Sequence, residues 1–233
     1  MSDLWDGIVW LTSSDNWWGR SGLARRTWEH LWYSGLASLL AVAIGLPIGL
    51  AIGHTGRGRF AAASTAGVLR AVPTIGVVIL LFRWQPRTVW PVLVALVVLA
   101  IPPVMLNAAA GVESVDPDAR DAARGMGLRG WQVLLRVEVP CALPMILAGV
   151  RSAANQVIAT ATVAGVYGLG GLGRFIFSGY GTQRLNMVYG ATVAVILLVL
   201  TVEVAFAVLQ RGVVSPGIRA RRSARLRDAA AVT

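Results

Sequence analysis

The chain is predicted to be an all-α membrane protein with about five transmembrane helices. Three observations predict this. First, 56% of its 233 residues are hydrophobic and only 14% are charged, with a mean hydropathy of +0.66, which is too apolar for a domain with a solvated surface. Second, five runs reach the roughly 20 mainly apolar residues needed to cross a bilayer: 31–53, 60–82, 89–111, 141–167 and 187–210. Third, the arginines fall mostly between and beyond those runs.

The elements follow in order. Residues 1–28 are acidic at first and then rich in tryptophan, with no basic region, short apolar core and cleavage site of a secretory signal. Trp5, Trp10, Trp17, Trp18, Trp28 and, just beyond, Trp32 suit an interfacial segment at headgroup level, since an indole has an apolar body and a polar donor. In the first span Gly45, Gly49 and Gly53 recur every four residues, giving one face for close helix approach. The second span carries Arg70, with Thr74 one turn on and Pro73 between them to loosen the helix. An arginine at a span centre costs about 2.5–3.5 kcal/mol on insertion scales. Arg70 therefore either lines or gates a polar pathway together with Thr74, or snorkels to the interface at the start of a later-beginning span.

Beyond the third span, residues 116–138 are polar and arginine-bearing. Asp116 suits a helix cap and Pro117 a first turn. Ala119, Ala122 and Ala123 favour helix with little bulk, and Gly127 permits a turn into a second short helix. In the fourth span Ser152, Asn155, Gln156, Ala159, Thr160 and Val163 form a small, polar stripe at helical spacing. Such a stripe should avoid lipid, and either lines a pathway or packs on the equivalent helix of a second subunit. Arg151 precedes it, with Asp121 or Glu138 as candidate partners, while Glu203 in the last span is either an interhelical partner for an arginine or a group near the cytoplasmic interface. Residues 211–233 form an arginine-rich tail suited to anionic headgroups.

The arginine distribution sets the expected orientation. Arg57, Arg59, Arg120, Arg124, Arg129, Arg136 and the tail arginines fall on one side; Arg20, Arg25, Arg26, Arg83, Arg87, Arg174 and Arg184 fall on the other. The positive-inside bias then places the N-terminus outside, the C-terminus in the cytoplasm and residues 116–138 in the cytoplasm.

Several function classes are excluded or disfavoured. The net charge of +10 is explained by topology and not by nucleic-acid binding. Cys141 is the sole cysteine, so no internal disulfide forms. His30 and His54 lie at span ends without a ligand set, and no paired carboxylates in one span suggest acid–base chemistry. Gly168, Gly170, Gly171 and Gly173 match a dinucleotide-binding spacing but follow a membrane span, so they read as a flexible turn at the outer mouth. The chain has no phosphate loop ending in Gly-Lys-Ser/Thr and cannot hydrolyse ATP itself.

Asp121, Ala122 and Ala123, then Gly127, and finally Val137, Val139 and Pro140, resemble the EAA signature of permease subunits in bacterial ABC importers. Aspartate stands where glutamate is usual, and Val139 where leucine is usual. The stretches AIPPVMLNAAAGVESVDPDARDAARGMG and ALPMILAGVRSAANQVIATATVAGVYGLGGLG look like those of the osmoprotectant permeases. The resemblance implies a type I importer permease fold in the inner (cytoplasmic) membrane, non-catalytic and with no cofactor of its own. It implies Asp121, Ala122, Ala123, Gly127, Val137 and Pro140 as the ATPase-coupling residues. It also implies an ATPase dimer holding ATP and Mg, a second permease subunit, an extracytoplasmic substrate-binding protein and a lipid surround as partners. The expected substrate is a small osmoprotectant such as glycine betaine, choline, carnitine or proline betaine; methionine-type importers share the span number and glycine-rich turn. An ATPase-independent channel or structural subunit is the competing class, and it would have no need of the 116–138 segment.

Overall fold

A computed structural model describes residues 2–85 and 88–213, all helical or connecting segments. The arginine-rich tail from residue 214 onward lies outside the described residues, as does the Arg87 used in the orientation count. Among the described residues, four helical stretches are long and apolar enough to cross a membrane: Leu23–Thr55, Trp90–Glu113, Gly130–Tyr167 and Leu185–Gly212. A bent pair, Arg59–Leu69 and Thr74–Trp84, makes a fifth when taken as one span.

The N-terminal helix α1 (Ser2–Thr12) packs along α10 (Leu185–Val213). Gly7 makes this approach, since an added Cβ would stand 2.6 Å from the Tyr189 Cβ. Trp10 meets Phe175 of α9 (Gly173–Gly181) edge-on at 5.2 Å. The tryptophan-rich segment is thus docked on the bundle while Trp5, Trp18, Trp28 and Trp32 stay exposed. Helix α2 (Leu23–Thr55) ends on Gly56 in a left-handed conformation. At 33 residues it is about 50 Å long, beyond the hydrocarbon thickness of about 30 Å, so its ends reach past the apolar layer.

The second predicted span is not one straight helix. α3 (Arg59–Ala71) and α4 (Thr74–Trp84) meet at 77°. Pro73 has no N–H to continue the ladder, and it holds Val72 in an extended conformation (φ −68°, ψ 122°). Arg70 and Thr74 therefore lie on different helices, not one turn apart on the same one.

Helix α5 (Trp90–Glu113) is apolar almost all round and occupies the centre: most of its apolar stretch is buried, whereas almost none of that of α10 is. It packs on α2 and on α8 (Val139–Thr160). The glycine stripe of α2 faces α5, where an added Cβ on Gly49 would overlap the Met105 carbonyl and come within 2.8 Å of the Ala108 Cβ. Ala37, Ala41, Leu96, Ala100, Val104, Ala153 and Val157 fill the three-helix core.

Candidate functional site

At one end of the bundle, α5 gives way to α6 (Pro117–Gly125), whose Asp116 cap accepts the Asp118 N–H at 3.1 Å. The cap and Pro117 are local signals, and the helix starts where they place it. Gly127 closes α6 at φ +83°, a conformation that costs a side-chain-bearing residue energy. Its N–H donates to the Arg124 carbonyl at 2.9 Å. The chain then enters α7 (Gly130–Val133), where the Arg129 N–H donates to Gln132 Oε1 at 2.7 Å, and a π turn (Leu134–Glu138) leads into α8.

The EAA-like residues divide by face. Asp121, Ala122, Gly127 and Pro140 are exposed, Val137 is half-buried, and Ala123 is turned into the bundle with 1% exposure. Met126, Trp131 and Leu135 add an exposed apolar surface beside them, with Met126 at 74% exposure. Composition had not singled these three out. They are ordinary apolar residues whose exposure depends on the α6–α7 turn.

Behind this surface sits a charge cluster. Glu138 is wholly buried. His54 Nδ1, in the last turn of α2, lies 2.6 Å from Glu138 Oε2, and Arg120 Nε of α6 lies 3.0 Å from Glu138 Oε1. The second contact is an ion pair whose angle is not that of a hydrogen bond. Arg120 Nη2 also donates to the Val112 carbonyl at the end of α5. A buried carboxylate is stable only when its charge is paired, and here two helices supply the partners. Nearby, Arg59 Nε stands 2.6 Å from Glu113 Oε1.

Within the apolar region, Arg151 of α8 forms a two-pronged ion pair with Glu203 of α10. Asn155 Nδ2 donates to the same carboxylate at 2.6 Å. The interhelical partner of Glu203 is thus Arg151, whose own partner is neither Asp121 nor Glu138. Of the other polar-stripe residues, Ser152 and Ala159 are exposed, while Gln156 and Thr160 are half-buried, one turn or two along the helix from the buried Ala153 and Val157. Thr74 is half-buried at the start of α4; Arg70 lies in the last turn of α3, with its side chain outside the described part.

At the opposite end, the glycine-rich turn is pinned to α2. Glu29 Oε2 accepts the Gly171 N–H at 3.1 Å and Arg26 Nη1 at 2.7 Å. Tyr33 Oη donates to the Leu169 carbonyl at 2.7 Å, and His30 Nε2 lies 2.8 Å from the Ile158 carbonyl. Gly170 has φ +104°, and an added Cβ there would overlap Glu29. The turn is held, not loose. Phe82 and Tyr167 stack nearby, with ring centroids 4.3 Å apart. Among the described residues, no group of three or more His, Cys, Asp or Glu side chains could hold a metal ion.

Comparison with known proteins accounts for the arrangement. The profile of a family described as "Binding-protein-dependent transport system inner membrane component" matches residues 41–216. A carnitine transport permease protein of Listeria monocytogenes, OpuCB, is 33% identical over 84% of this chain and 90% of its own length. An osmoprotectant import permease protein of Salmonella typhimurium, OsmW, is 32% identical over 84% of this chain and 94% of its own. Among solved structures, an inward-facing form of the MetNI methionine ABC transporter superposes with a TM-score of 0.70 at 22% identity, covering 83% of this chain and 96% of that one. The chain belongs to the family of binding-protein-dependent transport system inner membrane components, as a multi-pass permease of the type I ABC importer fold.

Proposed function

We propose that this chain forms, with a second permease subunit, the pathway by which an ATP-driven importer takes up a small osmoprotectant such as glycine betaine, choline, carnitine or proline betaine. The observation that carries the reading is identity above 30% over 84% of the chain to permeases named for carnitine and osmoprotectant transport. The methionine importer likeness is one of fold, at 22% identity.

In this reading ATP and Mg are held by a separate ATPase dimer, and an extracytoplasmic binding protein delivers the substrate. The α6–α7 surface built from Asp121, Ala122, Met126 and Gly127 docks on the ATPase. Its small and apolar side chains suit a protein socket, because exposed apolar surface at the end of a membrane bundle is otherwise costly. The polar side of α8, with Ser152, Gln156 and Thr160, faces the second permease or the pathway, and Arg70 and Thr74 belong to that same pathway. The N-terminus lies outside and the C-terminus in the cytoplasm, which supports the same placement of α6. The arginines Arg25 and Arg26 on the opposite side are partly offset by their ion pairs with Glu29.

The test is uptake of labelled glycine betaine into proteoliposomes containing this chain with its co-purified ATPase and binding protein, with ATP enclosed. ATP-dependent uptake, competed by carnitine or choline and not by methionine, is the expected result. Uptake without ATP, or competition by methionine alone, would overturn the reading.

A further inference from the structure

Among the described residues Glu138 is the wholly buried carboxylate, and it joins elements far apart in the chain. It receives His54 from α2 and Arg120 from α6, while standing itself at the junction of the π turn with α8. Arg120 adds the bond to Val112 of α5. The π turn makes this placement possible. Its wide turn shifts the helical register by about 100° per extra residue, so Leu135 and Arg136 point out while Glu138 points in.

The apolar hold on α6 is slight. Ala123 is its one buried side chain, a single methyl group. The helix is bounded by the Asp116 cap and the Gly127 turn. One methyl contact gives little purchase by which a displacement of α6 could reach the spans. The Arg120–Glu138–His54 cluster supplies a stronger tie, since Glu138 is wholly buried and pulling Arg120 away would leave its carboxylate without its ion-pair partner.

We propose that Glu138 is the positioning residue that transmits movement of α6 to α2 and α8, so that ATPase closure reaches the pathway. This rests on the reading of α6 as the ATPase-docking helix.

The test uses the complete importer in proteoliposomes, comparing Glu138→Gln with the unmodified complex. Glutamine keeps the shape but removes the charge that holds Arg120. The ATPase is expected to co-purify and to hydrolyse ATP within about twofold of the unmodified rate, while substrate imported per ATP falls about tenfold or more. Arg120→Gln should show the same split. The double variant should be no worse than the poorer single one, because both changes sever one link. Unchanged import per ATP in Glu138→Gln, or losses that multiply in the double variant, would overturn the proposal. Loss of ATPase association would also overturn it, by showing that Glu138 builds the docking surface instead. If Glu138→Gln does not accumulate in the membrane, Arg120→Gln carries the test, with Glu138→Asp required to recover at least part of the coupling. Ala122→Arg, on the exposed face, checks docking separately: retained ATPase association there sinks the docking reading without touching the Glu138 result.

Discussion

Arg151 on α8 and Glu203 on α10 are bound to each other by two contacts inside the membrane-spanning bundle, with Asn155 donating to the same carboxylate. The pair ties the central part of the fold to α10, the span least buried within the chain among the described residues. Beyond a long hydrogen bond from Gln210 Nε2 to the Pro144 carbonyl at 3.4 Å, the α8–α10 contact is largely apolar, so the charges help to specify which face of α10 turns inward.

Glu203→Ala is therefore expected to lower the stability of the purified chain in detergent by about 1–3 kcal/mol, below the full cost of breaking a fully buried pair because both side chains are about a third exposed. Thermal unfolding followed by tryptophan fluorescence reads this. Asn155→Ala should cost less, about 0.6 kcal/mol, the mean for one interhelical hydrogen bond in a membrane bundle. If Glu203→Ala and Arg151→Ala are each neutral, the pair does not fix α10.

The packing of α2 on α5 gives a second expectation. Gly49 admits no side chain without displacing the Met105 carbonyl, whereas Gly35, on the same helix, has nothing within 4 Å of an added Cβ. Gly49→Ala should destabilise by about 1–3 kcal/mol through overpacking. Gly35→Ala should be neutral or stabilising by up to about 1 kcal/mol through helix propensity. Parallel melts of the two variants decide it, and equal effects would mean that propensity alone governs both positions.

What the sequence disclosed and what it hid follows from the range of the forces involved. The apolar runs were legible because lipid burial depends on local composition, and α2, α5, α8 and α10 all lie over predicted spans. The Asp116 cap, Pro117 and the Gly127 turn were legible because each acts within a few residues. The break at Val72 was half legible: Pro73 announced weakening, but a 77° bend depends on how α3 and α4 each pack on α5. The partners of Arg151 and Glu138 were hidden. Their contacts span 52 and 84 positions, and no periodicity in the chain encodes which of several charges will meet.

The pinned glycine turn predicts a local and not a global effect. Tyr33→Phe removes the bond to the Leu169 carbonyl, and Glu29→Gln weakens the hold on Gly171. Each should cost about 0.5–1.5 kcal/mol. Amide exchange over residues 168–173 should speed up by a factor of roughly three to ten while the amides of α5 are unaffected. Uniform exchange across both regions would show that the bonds support the whole bundle, and no change would show that the turn is held by packing on α2 alone.

Gly127 separates backbone geometry from side-chain bulk at the proposed docking surface. Its φ of +83° penalises any residue with a Cβ, yet the space around it is open, so strain and steric contact with this chain are uncoupled. Asparagine tolerates the left-handed region better than other non-glycine residues, and a β-branched residue tolerates it poorly. Gly127→Asn should accordingly retain fold and membrane insertion with a cost of about 1 kcal/mol or less, whereas Gly127→Val should reshape the α6–α7 turn at a cost of about 1–2 kcal/mol. If the turn presents α6 to an ATPase, Gly127→Val should insert normally and lose ATPase co-purification and uptake together, with Gly127→Asn intermediate. If only bulk matters, Asn and Val should be equally harmful, being similar in size. Undiminished uptake by Gly127→Val would mean that the geometry of this turn plays no part in transport.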